Sequence, residues 1–152
     1  MKTNTPTHPP THAGFARHAA RLAWVCASTI TCATAADLAV EISGHRSTDG
    51  KVRAALYKDS TSFPGTPLRG VEGPASQGTV VLTFKEVPPG AYALSAYHDE
   101  NGNEKMDRGL FKIPSEPYGF SRDARGDKGP PEFRDAQIEV RDPATKISIK
   151  LR

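Results

Sequence analysis

Alternation of apolar and polar residues at a period of two, repeated along the chain and interrupted by turn residues, is the feature that most narrows the possible folds. In "DLAVEISG", 37–44, Leu38, Val40 and Ile42 alternate with Asp37, Glu41 and Ser43, as in a strand with one face buried. "KVRAALYKD" sets Val52, Ala54 and Leu56 on one face, and the intervening "STDG" ends in the Asp49-Gly50 turn signal, so the two segments are expected to form a hairpin. "TVVLTFKEV" predicts a third strand. After Pro88-Pro89-Gly90, a fourth strand places Tyr92, Leu94 and Ala96 on one face and Ala91, Ala93, Ser95 and Tyr97 on the other. The small residues of that second face predict close packing against it.

"QIEVRD" and "TKISIKLR" predict two closing strands about Asp142-Pro143-Ala144. Residues 59–78, rich in Gly, Pro and Ser, are expected to be an excursion without an element of their own. Residues 109–135 hold too many Gly and Pro for a helix, yet Phe111, Ile113, Tyr118, Phe120 and Phe133 are too many apolar groups for a disordered linker. They predict one long ordered loop packed on the sheet. No amphipathic helix is evident. The expected fold is all-β: an antiparallel β-sandwich, immunoglobulin-like or transthyretin-like, with a small barrel as the alternative.

The first 35 residues differ from the rest. Lys2, Arg17 and Arg21 are their only charges, an apolar run follows from Leu22, and Ala33-Thr34-Ala35 ends it in an A-x-A pattern. This predicts a secretory signal peptide over 1–35, cleaved after Ala35, and a single domain over 36–152. The apolar run is short of the roughly 20 residues a membrane span requires, so no span is expected once the leader is removed. All 17 acids and 17 of the 20 Lys and Arg follow residue 35, so the net charge of +3 belongs to the leader and the mature chain is neutral. A neutral chain offers no basic surface for phosphates, which argues against a nucleic-acid partner. Cys26 and Cys32 also lie in the leader, leaving the mature chain to be held by its core alone. The expected location is periplasmic or secreted.

One stretch carries ligand-like spacing: "YHDENGNEKMDRGLF", 97–111. With Asp99 as position 1, Asn101 stands at 3, Asn103 at 5, Lys105 at 7 and Asp107 at 9. Calcium takes six to eight oxygens, and these positions supply carboxylate, amide and main-chain oxygens in the order of an EF-hand loop. The pattern departs at position 6, where Glu104 replaces the turn glycine, and at position 12, where Leu110 replaces a bidentate carboxylate. Glu100, Glu104, Glu116, Asp123 and Asp127 are candidates to complete the shell. The alternative is a solvated hairpin tip on an Asn-Gly turn.

Tyr118, Phe120 and Phe133 are candidate binding aromatics for a carbohydrate or another envelope protein, against the alternative that they pin the long loop to the sheet. His98 adjoins Asp99, but neighbouring strand residues face opposite ways, so a hydrolase using His98 is the weakest reading, and no nucleophile elbow, P-loop or H-E-x-x-H occurs. A non-enzymatic exported module is the favoured one.

The runs H-D-x-N-x-N at 98–103, I-P-x-E-P-Y-G-F-S at 113–121 and G-P-P-x-F at 129–133, with "VRAALYKDSTSFP" before them, resemble the bacterial exported proteins grouped as domain of unknown function family 2141. The resemblance spans Leu38 to Leu151. It implies a small secreted or periplasmic β-sandwich with no established activity, and a fixed loop around Asp99, Asn101, Asn103 and Asp107. Relatives commonly carry Gly where this chain has Glu104.

Overall fold

Strand β1 (Ala36–Ser43) buries Ala36, Leu38, Val40 and Ile42 completely, as its alternation requires, and does so at the centre of a three-stranded sheet of order β4-β1-β8. Its partners are β4 (Val80–Val87), antiparallel, and β8 (Ala144–Lys150), parallel. The second sheet has the order β3-β2-β5-β6, with β7 (Ile138–Val140) pairing the start of β5. Here β2 spans Lys51–Tyr57, β3 Arg69–Pro74, β5 Gly90–Asp99 and β6 Tyr118–Phe120. These elements come from a computed structural model that describes residues 35–152. The expected signal peptide lies outside the described residues apart from Ala35.

The two sheets enclose one apolar core. Leu38, Val40, Ile42, Leu82, Phe84 and Ile149 of the first sheet meet Val52, Ala54, Leu56, Tyr92, Leu94 and Ala96 of the second. The fold is therefore the expected all-β sandwich, with almost no helix: a four-residue α1 (Phe133–Ala136) and two short 3₁₀ turns. At one end the sheets are stitched together, because Tyr118 and Arg152 exchange two backbone hydrogen bonds of 3.1 Å.

Four expectations are corrected. First, β1 and β2 do not form a hairpin: they lie in different sheets, and residues 44–50 cross between them. Both strands have one apolar face, and placing them opposite each other buries both faces in the same core. Second, the 59–78 excursion contains β3, paired with β2 from Lys51↔Pro74 to Leu56↔Arg69. Third, the β1–β8 pair is parallel, so the sandwich is not wholly antiparallel. Fourth, the 109–135 segment is not uniformly packed down: it holds β6, α1 and the turns, and Phe111 stands 92% exposed.

The outer face of the second sheet carries a smaller apolar cluster of Tyr57, Phe63, Ala93, Phe120 and Ala136, with Phe133 against it. Phe63 is its hub, edge-on to Tyr57, Phe120 and Phe133 at centroid distances of 5.1, 5.6 and 6.0 Å. The small residues of β5 make room for it, as expected. A turn anchored by the Asp59 carboxylate, which accepts hydrogen bonds from the Thr61 and Ser62 amides, carries Phe63 there. Ser121, fully buried, accepts from the Leu94 amide and donates to the Ala136 carbonyl, tying the segment after β6 to β5.

Burial holds the Tyr57 phenol above its ordinary range, opposed by the Ser95 hydroxyl 3.2 Å away. A group whose folded pKa is raised contributes stability in full below its unfolded value, near 10, and loses it as pH rises through the folded value. Urea midpoints measured from pH 8 upward should therefore fall above about pH 10, and less steeply in Tyr57→Phe.

Candidate functional site

Loop 99–107 folds around its own carboxylates. Asp99 ends β5 and is fully buried on the sheet's outer side, opposite His98. Its Oδ1 accepts from the Asn103 amide at 3.0 Å, and its Oδ2 from the Glu104 amide and Arg53 Nε, each at 2.9 Å. Asn101 Oδ1 accepts from the Asn103 amide at 3.0 Å, and Asn103 Oδ1 from the Lys105 amide at 2.8 Å, so successive side chains each turn the chain two residues on. The Nδ2 groups of Asn101 and Asn103 both donate to the Asp107 carboxylate, at 2.7 and 2.9 Å. Glu104 has a left-handed φ of 65°, the conformation for which position 6 of a calcium loop favours glycine.

Glu116, nearly buried and just before β6, closes the loop: its two carboxylate oxygens accept from the amides of Glu100 and Asp107 at 3.2 and 3.0 Å. Of the residues expected to complete a shell, Glu116 alone braces the loop in this way. Asp123 lies beside Arg152 at 3.8 Å, and Asp127 lines the groove described below. Among the described residues no three histidine, cysteine or carboxylate side chains gather as a metal-holding group.

Arg53, absent from the residues singled out by spacing, is the centre of the charge arrangement. It projects from β2 to the outer face and contacts Asp99 of β5, Glu72 of β3 at 2.8 Å and Glu104 of the loop at 3.2 Å. Register decides this: Arg53 stands directly across from Glu72 on one side and Tyr97 on the other. The one available signal is that a strand with Val52, Ala54 and Leu56 inward must send Arg53 out.

Beside this cluster a groove of about 1160 Å³ runs over the outer face of the second sheet. Ala55, Gly70 and Ser95 form its floor. Tyr57, Pro64, Pro67, Phe111, Ile113 and Tyr118 also line it, and its charged residues are of both signs: Arg53, Glu72, Glu104, Arg108, Asp127 and Lys128. Of the three aromatics proposed for binding, Phe120 and Phe133 are packed in the Phe63 cluster, although an edge of Phe120 reaches the groove; Tyr118 is 38% exposed. His98 is buried on the opposite face, its Nε2 at 2.8 Å from the Asp49 carbonyl and its Nδ1 accepting from the Arg46 amide at 3.4 Å. It braces the 44–50 crossover and makes no pair with Asp99.

The family model described as "Uncharacterized protein conserved in bacteria (DUF2141)" matches residues 40–148. The chain belongs to that family. No curated protein and no solved structure matches it. In this DUF2141 protein the matched span contains the acidic loop, Arg53 and every residue of the groove. Among the described residues no helix is long and apolar enough to cross a membrane.

Proposed function

We propose that this is an exported, non-catalytic β-sandwich module that grips a carbohydrate strand of the cell envelope in the outer-face groove. The groove carries the reading: small residues on the strands beneath it, aromatic and proline side chains lining it, and charged groups among them, with Arg53 offering donors and Glu72 and Glu104 acceptors. Sugar rings present C–H faces and hydroxyl rims, so they need apolar walls with a few placed polar groups. The leader supports export, and the engagement of both His98 nitrogens with backbone supports a non-catalytic role.

Gly70 provides the test. A Cβ there meets only the Ala54 carbonyl oxygen at 3.8 Å, so Gly70→Gln fills the groove without a clash. Retention of the wild type on peptidoglycan sacculi or on members of a soluble-glycan panel is expected, with retention lost in Gly70→Gln and stability changed by less than about 0.5 kcal/mol. A wild type retained on none of these materials defeats the reading.

A second reading concerns the loop: calcium as a staple of the groove wall. The convergence of Asp99, Asn101 and Asn103 with Asp107, and the left-handed Glu104, favour it. Asp99, Asn101, Asn103 and Asp107 side chains and the Lys105 carbonyl would hold the ion. Binding asks Asp107 to exchange its two amide donors for the cation. At a Kd of about 0.1 mM, 10 mM calcium stabilises by ~2.7 kcal/mol. Thermal unfolding in EDTA and in calcium should show an upward shift that Asp107→Ala abolishes; equal melting temperatures in wild type exclude the ion. Asp107 is the better probe because Asp99 also holds Arg53.

A further inference from the structure

The described residues include two asparagines, Asn101 and Asn103, both exposed in the 99–107 loop. Asparagine is thermolabile because the backbone nitrogen of the next residue can attack its Cγ. Attack requires that nitrogen to be free and unhindered, and here the two sites differ. After Asn101 comes Gly102, also exposed, with nothing within 4 Å of where a Cβ would stand. No hydrogen bond among the described residues holds the Gly102 amide. After Asn103 comes Glu104, whose amide is held by Asp99 Oδ2 at 2.9 Å and whose side chain reaches Arg53. The other glycine that follows a short acidic or amide residue and takes a left-handed φ, Gly50 after Asp49, is closed by packing: a Cβ there would lie 2.0 Å from the Asp99 carbonyl oxygen.

We propose that Asn101 is a self-modifying site: it cyclises with Gly102 and deamidates, slowly converting the braced 99–107 loop into a looser and more acidic one. The Gly102 nitrogen, losing its proton to solvent, bonds to Asn101 Cγ. The oxyanion this creates falls on Oδ1, where the Asn103 amide already donates at 3.0 Å. The Cγ–Nδ2 bond then breaks, and ammonia leaves after taking a proton from water. One water opens the succinimide at either carbonyl, leaving an aspartate or an isoaspartate at position 101.

Either product removes the Nδ2 donor that Asp107 Oδ2 accepts at 2.7 Å and sets a carboxylate against it. The isoaspartate also adds one methylene to the main chain, which breaks the two-residue turn onto the Asn103 amide. The inference stands apart from what the groove binds and from whether the loop holds a cation.

The test ages exported protein in mildly alkaline buffer with EDTA, made in heavy-oxygen water, and maps its peptides by mass spectrometry. Position 101 should change from amide to acid with uptake of one solvent oxygen, isoaspartate being the major product, while Asn103 keeps its amide. Gly102→Ala, which leaves the Asn101 side chain in place, should slow the conversion roughly tenfold or more by hindering the attack. Asn101→Asp, measured fresh in EDTA at neutral pH, should melt below wild type, as should the aged wild-type fraction. Retention of the amide at Asn101, conversion chiefly at Asn103, or an equal rate in Gly102→Ala each overturns the assignment of the site. An Asn101→Asp variant and an aged fraction that both melt with fresh wild type overturn the loosening of the loop.

Discussion

Arg53→Met is expected to destabilise the folded protein by about 3–5 kcal/mol, the cost of leaving a buried charge without its partner. Asp99 is 0% exposed and is paired with Arg53 Nε at 2.9 Å, while the amides of Asn103 and Glu104 also donate to its carboxylate. Two amides satisfy hydrogen bonding but do not neutralise the charge. Glu104 would also lose its contact with Arg53, whereas Glu72 keeps its pair with Lys51. Urea unfolding at neutral pH reads the effect. In the double variant Arg53→Met/Asp99→Asn, the stranded charge is gone while one side-chain oxygen still accepts an amide, so part of the loss should return. A double variant weaker than the sum of the two single losses would mean that Arg53 acts through packing of its stem.

Gly50→Ala should cost about 2–4 kcal/mol, combining left-handed strain with overpacking. Gly50 has φ +67°, and a Cβ there lies 2.0 Å from the Asp99 carbonyl oxygen and 2.7 Å from that of Glu100, backbone atoms that cannot turn aside. The crossover between the sheets is pressed directly against the start of the acidic loop. Gly102→Ala is the internal control: its φ is +72°, but nothing lies within 4 Å of its Cβ. It should lose only the strain, about 1 kcal/mol. Thermal or urea unfolding of the two variants separates the terms, and equal losses would show that close contact contributes nothing at Gly50.

Either variant also reports on the loop. If Gly50→Ala displaces Asp99 and Glu100, the contacts of Arg53 and Glu116 shift with them, and any calcium response of the loop should weaken alongside stability. Gly102→Ala, in open space, should leave that response in place.

What the sequence alone determined was which faces are buried and where the chain turns. Alternation placed Leu38, Val40 and Ile42, then Val52, Ala54 and Leu56, then Tyr92, Leu94 and Ala96, inward, and all nine are core residues or packed among them. The small second face of β5 announced close packing, and the Asp/Asn order from 99 to 107 located the loop, because a side chain two residues back is a local turn device. Pairing was decided only by the tertiary structure. An inward face looks the same whether its strand joins a neighbour or lies across the core from it, so β1 and β2 read as a hairpin although they belong to opposite sheets. Strand β3 was hidden because Gly70, Glu72 and Pro74 face outward and little but Val71 turns toward the core. Arg53 gained its role from register with Glu72 and from the return of the loop over β2, neither of which is local. The exposure of Phe111 was equally invisible: composition rewards burying an aromatic, and only the closed hairpin beneath it, with its left-handed backbone, holds it out in solvent.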